Sequence, residues 1–362
     1  MGQFMSKKIR VLIVDDSAIV RKMVSDALSK DPEIEVVGTA IDPYVARDKI
    51  LELTPDVLTL DIEMPRMDGL TFLKIIMEHR PMPVIIMSSL TQAGSKYALE
   101  ALNSGAVDVL AKPSGSYSVG QLAEILPARV KEAAAAKIKF KTVKETSAHE
   151  AAKMTASKPS IQTPIGSKFH PRQLILLGAS TGGTEALKEV LTQMPNGLPG
   201  ICIVQHIPAY FSKTFADRLD ELCQFKVREA QNGDRVEPGL ALVAPGGFHM
   251  TVKWYGDHYK VHLNEEAMVC HQRPAVDVLF NSGAKEAGKY VVSAILTGMG
   301  KDGAEGMLNL RKAGARTLGQ SEESCVVYGM PRAAAECGAV EKVVHLQEMP
   351  KNLVDLVTAF RG

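Results

Sequence analysis

Asp15, Asp16 and Asp61 stand directly after apolar runs of strand length, where the side chains of a core strand would end. Ser88 and Lys112 follow two further runs of the same kind. In an open, doubly wound sheet, ligands bind outside the carboxyl ends of the strands, and order 2-1-3-4-5 reverses between the first and third strands. That order predicts that the three carboxylates converge, with Ser88 and Lys112 beside them. Carboxylates so close repel one another unless a cation shares the site. Oxygen-only donors beside a phosphoryl group suit Mg²⁺, which keeps part of its water shell. A carboxylate is a competent nucleophile toward phosphorus and yields an acyl phosphate. Lys112 can neutralise the phosphoryl oxygens, and the Ser88 hydroxyl can donate to one of them. Taken singly, Asp16 could equally cap the helix that follows. Five such residues at one sheet edge favour a shared phosphoacceptor site.

A second group carries different chemistry. Gly178-Ala179-Ser180-Thr181-Gly182 fits G-x-S-x-G, with a buried-strand run before it and an amphipathic pattern after it. A sharp strand-to-helix turn presents the hydroxyl, and glycines let backbone N–H groups approach a developing oxyanion. Such a serine needs a base, and the base an orienting acid. His206 follows the run Ile201–Gln205, and Asp302 lies in the loop after Val291–Leu296. His258 and His262 in or near a hairpin, His149 and His170 in a polar stretch, and His271 before a helix are weaker candidates. The order Ser–His–Asp differs from the Ser–Asp–His of α/β-hydrolases, so a different hydrolase fold is expected. Gly298-Met299-Gly300-Lys301-Asp302-Gly303 also satisfies G-x-G-x-x-G. It comes late in its domain and puts an acid where pyrophosphate would sit, which argues against dinucleotide binding. The turn at Ser180 lacks the Gly-Lys-Ser/Thr ending of a nucleotide-binding P-loop.

The elements that must position these residues are legible as alternating strand-length and helix-length patterns. In the first part the strands read Ile9–Val14, Ile34–Thr39, Val57–Leu60, Val84–Met87 and Val107–Ala111. A helix over Ser17–Ser29 presents Met23 and Leu28 on one face. Five strands with helices between them predict a parallel α/β sheet of flavodoxin type. The pattern dissolves in a stretch rich in Ala, Lys, Ser and Thr and resumes at Gln173–Leu177. The expected organisation is a first domain over 1–131, a flexible linker over 132–171 and a second domain over 172–362. Ile201–Gln205, Leu240–Val243 and Val291–Leu296 are further strands of the second domain, again doubly wound α/β. His249–Leu263 alternates around Gly256-Asp257 and predicts an antiparallel hairpin insertion.

Composition narrows the function classes. A net charge of +1 gives no electrostatic reason to expect nucleic acid or an anionic membrane as partner. No apolar run has the length of a membrane span, so direct membrane insertion is not expected and a cytoplasmic location is. Five cysteines, none spaced C-x-x-C, read as reduced thiols, mostly in the core, rather than a disulfide framework or a zinc site.

Val11-Leu12-Ile13-Val14-Asp15-Asp16-Ser17, Leu60-Asp61-Ile62-Glu63-Met64-Pro65-Arg66-Met67-Asp68-Gly69 and Ala111-Lys112-Pro113 resemble the receiver domains of bacterial response regulators. The resemblance implies that Asp61 takes phosphate from a histidine kinase. It also implies that Asp15 and Asp16 hold Mg²⁺ with the backbone carbonyl of Glu63, and that Ser88 and Lys112 read the phosphoryl group. One position departs from the pattern: many receivers carry an aromatic switch residue where this chain has Val109.

In the second domain, Gly178–Gly183, Gln205-His206-Ile207-Pro208, Ala244–His249, Arg273-Pro274-Ala275-Val276-Asp277, Leu296–Gly303 and Tyr328-Gly329-Met330-Pro331 resemble the chemotaxis protein-glutamate methylesterases, the CheB proteins. This resemblance implies hydrolysis of glutamate methyl esters on chemoreceptor cytoplasmic helices, and deamidation of receptor glutamines. Ser180 is then the nucleophile, His206 the base and Asp302 the orienting acid, with Thr181 and Met299 offering backbone donors to the oxyanion. Ester hydrolysis of this kind needs no cofactor. Two active edges on a flexible linker also suggest that the unphosphorylated receiver restrains the esterase. The alternatives are another ester or amide substrate under the same switch, and a binding output. The latter is disfavoured by the lack of a basic recognition helix.

Overall fold

The computed structural model describes residues 7–89, 91–112, 119–136 and 169–360. They fall into two compact units, divided between Lys153 and Met154.

The first unit is a five-stranded parallel sheet: β1 (Ile9–Val14), β2 (Ile34–Ala40), β3 (Val57–Asp61), β4 (Val84–Ser88) and β5 (Asp108–Ala111). The strand order is β2-β1-β3-β4-β5, as expected. Helices α1 (Ala18–Leu28), α2 (Pro43–Leu53), α3 (Gly69–His79), α4 (Gln92–Asn103) and α5 (Val119–Ala134) connect or follow the strands. Side chains cap the first four: Ser17, Asp42, Asp68 and Thr91 each accept from a first-turn N–H. Ser17 rather than Asp16 caps α1, which leaves the Asp16 carboxylate available to the acidic edge. Val24, Ala27 and Leu28 are the buried residues of α1, and Met23 is only half-buried. On one side of the sheet Val11, Ile13, Ile85 and Met87 pack with Leu28, Leu126 and Val130 in one apolar core. Ala133 belongs to the same core, so α5 runs past the expected domain end at 131. Most of the stretch expected as a linker, residues 137–168, lies outside the described residues.

The second unit is built on a seven-stranded parallel sheet of order β15-β14-β13-β6-β7-β10-β8. Its strands are β6 (Leu174–Ala179), β7 (Ile201–Gln205), β8 (Lys226–Glu229), β10 (Leu240–Val243), β13 (Val291–Ile295), β14 (Arg316–Gln320) and β15 (Lys342–Val344). The central strands β6, β7 and β13 are buried at every position, the pattern of a sheet covered on both faces. The predicted hairpin is present as β11 (His249–Trp254) and β12 (Tyr259–Asn264). Short strand β9 (Arg235–Val236) joins it to make a three-stranded antiparallel sheet. Helices α6 (Gly183–Leu191), α7 (Phe211–Leu222), α8 (Val276–Glu286), α9 (Ala304–Lys312), α10 (Met330–Glu336) and α11 (Met349–Thr358) complete the unit. Of the five cysteines only Cys202 and Cys325 are buried, fewer than expected, and all five are free thiols.

Candidate active site and phosphoacceptor site

In the first unit, register does the positioning. Asp61 ends β3 opposite Met87, and Ser88 ends β4 opposite Ala111. The Lys112 N–H donates to the Ser88 carbonyl at 2.8 Å. The sheet edge therefore holds Asp15, Asp61, Ser88 and Lys112 side by side. Lys112 Nζ lies 3.0 Å from Asp15 Oδ2 and 2.6 Å from Asp61 Oδ2. Asp15, Asp16 and Asp61 can each turn one oxygen to a common point, those oxygens lying within 4.8 Å of one another. Asp15 and Asp61 are buried and Asp16 is exposed at the rim.

The charge balance is unfavourable as it stands, with three carboxylates against one ammonium. Burial pushes the Asp61 carboxyl up to about 6; the Asp15 charge adds to this, while Lys112 opposes it. Burial works against the charge on Lys112, yet its hydrogen bonds and attraction to Asp61 and Asp15 raise its pKa overall. A net-negative nest with oxygen donors only fits a hard divalent cation such as Mg²⁺. Glu63 lies at the same edge: its N–H donates to Asp61 Oδ1 at 3.1 Å, and its side chain accepts from Ser89 Oγ at 3.0 Å. Close packing also explains Gly69, since a Cβ there would stand 1.9 Å from the Asp61 carbonyl oxygen. The Ser88 hydroxyl donates to the Gly94 carbonyl at 3.2 Å, in the first turn of α4. Val109 is 4% exposed within β5. A branched aliphatic side chain there offers no polar tip for an aromatic in–out switch.

In the second unit the strand order reverses between β6 and β13, and the carboxyl ends of β6, β7 and β13 meet there. Ser180 follows β6, His206 follows β7, and Asp302 lies in the loop after β13. Backbone bonds lace the three loops together: His206 N to Ala179 O at 3.1 Å and Ser180 N to Thr297 O at 3.0 Å. His206 Nε2 is 2.7 Å from Asp302 Oδ2. Asp302 Oδ2 also accepts from Val276 N at 2.7 Å, and its Oδ1 from Asp277 N at 2.9 Å. These two donors open α8, so a helix N-terminus faces the carboxylate and favours its charge. Burial alone would raise the Asp302 pKa, but the His206 and backbone hydrogen bonds outweigh it and hold it below the ordinary range. With Nε2 turned to Asp302, Nδ1 is the nitrogen on the other side of the ring.

Two supporting residues were not anticipated. Buried Gln205 donates from Nε2 to the Ser180 carbonyl at 2.9 Å and to the His206 carbonyl at 3.1 Å, joining two of the three loops. Thr297 Oγ1 donates to the Thr181 carbonyl at 3.0 Å and accepts from Val326 N and Val327 N. The one hint in the sequence is a polar residue closing an apolar strand run. Thr181 is buried, and Met299 sits half-buried on the glycine turn.

Gly298 marks the tightest approach in that turn. A Cβ there would stand 2.7 Å from Ser180 Cβ and 2.4 Å from Met330 Sδ. Gly298→Ala is therefore expected to displace Ser180 and slow turnover by about a hundredfold. Circular dichroism should stay close to wild type, and an unchanged rate would show that the turn can yield.

Comparison with known proteins agrees with both halves of the chain. The family model described as response regulator receiver domain matches residues 11–124, and that described as CheB methylesterase matches 175–353. A protein-glutamate methylesterase/protein-glutamine glutaminase of Syntrophus aciditrophicus is 53% identical over 97% of this chain and 99% of its own length. One from Syntrophotalea carbinolica is 47% identical, covering 99% of this chain and 100% of its own. The crystal structure of the Thermotoga maritima CheB methylesterase catalytic domain is 34% identical, with a TM-score of 0.50, and covers 51% of this chain and 98% of that one. With near-complete coverage by such relatives, and a receiver domain preceding a CheB methylesterase domain, the chain belongs to the protein-glutamate methylesterase/protein-glutamine glutaminase family.

Proposed function

We propose that the protein hydrolyses γ-glutamyl methyl esters on chemoreceptor cytoplasmic domains, also deamidates receptor glutamines, and does so under control of phosphorylation at Asp61. The observation that carries the reading is the buried His206–Asp302 pair, 2.7 Å apart, on the strand end next to Ser180 in a chain of this family. Ser180 Oγ attacks the ester carbonyl while His206 Nδ1 takes its proton. Asp302 holds the ring in that tautomer and favours the imidazolium that forms. The N–H groups of Thr181 and Met299 receive the oxyanion. His206 returns the proton to the departing methoxide, and methanol leaves. Water then attacks the acyl-enzyme with His206 again as base, freeing the glutamate and Ser180. For a glutamine, ammonia leaves in place of methanol. None of these steps calls on a cofactor.

In the receiver, the Asp61 carboxylate accepts a phosphoryl group from the phosphohistidine of a chemotaxis histidine kinase. Asp15, Asp16, Asp61 and the Glu63 carbonyl would hold Mg²⁺, which when bound offsets the charge of the phosphoryl oxygens. Lys112 pairs with one phosphoryl oxygen. Ser88 leaves the Gly94 carbonyl to donate to another, which frees the first turn of α4. We assign residues 1–134 to the receiver, since α5 ends at Ala134, 135–171 to the connection and 172–362 to the esterase, and place the protein in the cytoplasm. Among the described residues no helix is long and apolar enough to cross a membrane.

Methanol release from methylated chemoreceptors tests the reading. Release should depend on the protein and rise with a small-molecule phosphodonor. A rate no higher than that of receptors alone would refute the activity.

A further inference from the structure

Asp277 lies behind the Asp302–His206 pair, and the triad chemistry does not use it. The residue is 7% exposed, on the first turn of α8. The contacts between α8 and α9 are reciprocal. The N–H groups of Val276 and Asp277, which open α8, bind the carboxylate of Asp302, which lies one residue before the Gly303 N-cap of α9. The Gly306 N–H, in the first turn of α9, donates to Asp277 Oδ1 at 2.7 Å. Each helix start therefore binds an acid carried by the other. The crossing is tight, since a Cβ on Gly306 would stand 2.9 Å from the Asp277 carbonyl oxygen and 2.7 Å from Phe280 Cβ.

We propose that Asp277 is a positioning residue of the esterase: it clamps the loop carrying Asp302 and, when ionised, adds a second negative charge behind the His206 imidazolium. This inference rests on the Ser180–His206–Asp302 reading. Oxygens of the two carboxyls and the Cys270 thiol come within 4.8 Å of one another. Two carboxylates so close do not ionise independently; they titrate as a pair. Asp302, with three donors, keeps the charge. Burial, followed by the nearby charges of Asp302 and Glu305, pushes Asp277 up to about 6 against the hydrogen bond from Gly306. Lys301 also lies close to this cluster, as does the Cys270 thiol. Below that pH a protonated Asp277 shares its proton with Asp302 and weakens the charge that His206 faces. Above it, the added charge favours proton transfer from Ser180 to the ring.

The test uses the full chain with methylated chemoreceptors as substrate. Asp277→Asn keeps an acceptor for the Gly306 N–H but removes the titration, whereas Asp277→Ala removes both. Asp277→Asn should lower kcat about tenfold, with KM unchanged within about twofold. The acid limb of its kcat/KM profile should be shallower than that of wild type, having lost one ionisation. In proton NMR, the resonance of His206 Nε2–H should move in Asp277→Asn, a readout independent of turnover. Asp277→Ala should lose more rate and some thermal stability. Wild-type kcat, acid limb and His206 resonance in Asp277→Asn would overturn the proposal. So would a loss of rate in both variants that only tracks their unfolded fraction. Ser180→Ala run alongside separates the premise: if it turns over normally, the triad reading itself has failed.

Discussion

Replacing Ser180 with alanine is expected to cut methanol release by at least about a thousandfold, because loss of a nucleophile that acts as a unit with its base leaves only binding and oxyanion stabilisation. The variant is a clean one. Alanine keeps the Cβ that packs against Gly298, and the Ser180 N–H still reaches the Thr297 carbonyl. Folding and receiver phosphorylation should therefore be unaffected. They can be checked by thermal melting and by labelling with a radioactive phosphodonor. Retention of a tenth or so of the rate would mean that another group, or water alone, attacks the ester.

Asp302→Asn should lower kcat by about a thousandfold to ten-thousandfold. The carboxylate receives three donors, His206 Nε2 and Val276 N on Oδ2 and Asp277 N on Oδ1. An amide has one oxygen to offer. If its NH₂ takes the Oδ2 place, it opposes the Val276 N–H and donates to His206, which forces the ring proton onto Nδ1, where the base is needed. If the NH₂ takes the Oδ1 place, the tautomer survives, but the charge is lost and the Asp277 N–H meets another donor. Each orientation leaves a buried N–H without an acceptor, at a cost of about 1–3 kcal/mol in stability. There is a pH consequence as well. Because the folded-state pKa of Asp302 is depressed, its contribution to stability is present above the unfolded carboxyl's pKa and is lost as pH falls through the folded value. The stability of Asp302→Asn should lack that acid-dependent part in urea titrations at graded pH.

Strand-end polar residues were readable because the core pattern stops abruptly at each. Asp15, Asp61, Ser88, Lys112, Ser180 and His206 all break an apolar run, and parallel register carries such breaks to one edge. The strands that escaped notice are those whose residues are not a plain apolar run. Lys226–Glu229 is mostly charged, Arg316–Gln320 carries Gly319 and three polar residues, and Arg235–Val236 and Lys342–Val344 are too short for any period. The supporting polar residues were illegible for another reason. Gln205, Thr297 and Asp277 act through partners distant in sequence, such as Ser180, Thr181 and Gly306, so beyond the polar residue that closes an apolar run at Gln205 and Thr297 nothing local marks their roles. The N-cap of α1 is a local contest that the Ser17 hydroxyl wins, while the Asp15 carboxylate accepts from the Ser17 N–H. At Ala133 the helix continues because its small side chain still packs in the core, although composition there already suggests a linker.

The central claim is that a phosphoryl group on Asp61 sets the rate of an esterase built around Ser180. It is tested most directly by methanol release from wild type and Asp61→Asn, each with and without a small phosphodonor and Mg²⁺. The account predicts acceleration of the wild type and none of Asp61→Asn, with similar unstimulated rates for the two. Equal stimulation of Asp61→Asn would contradict it.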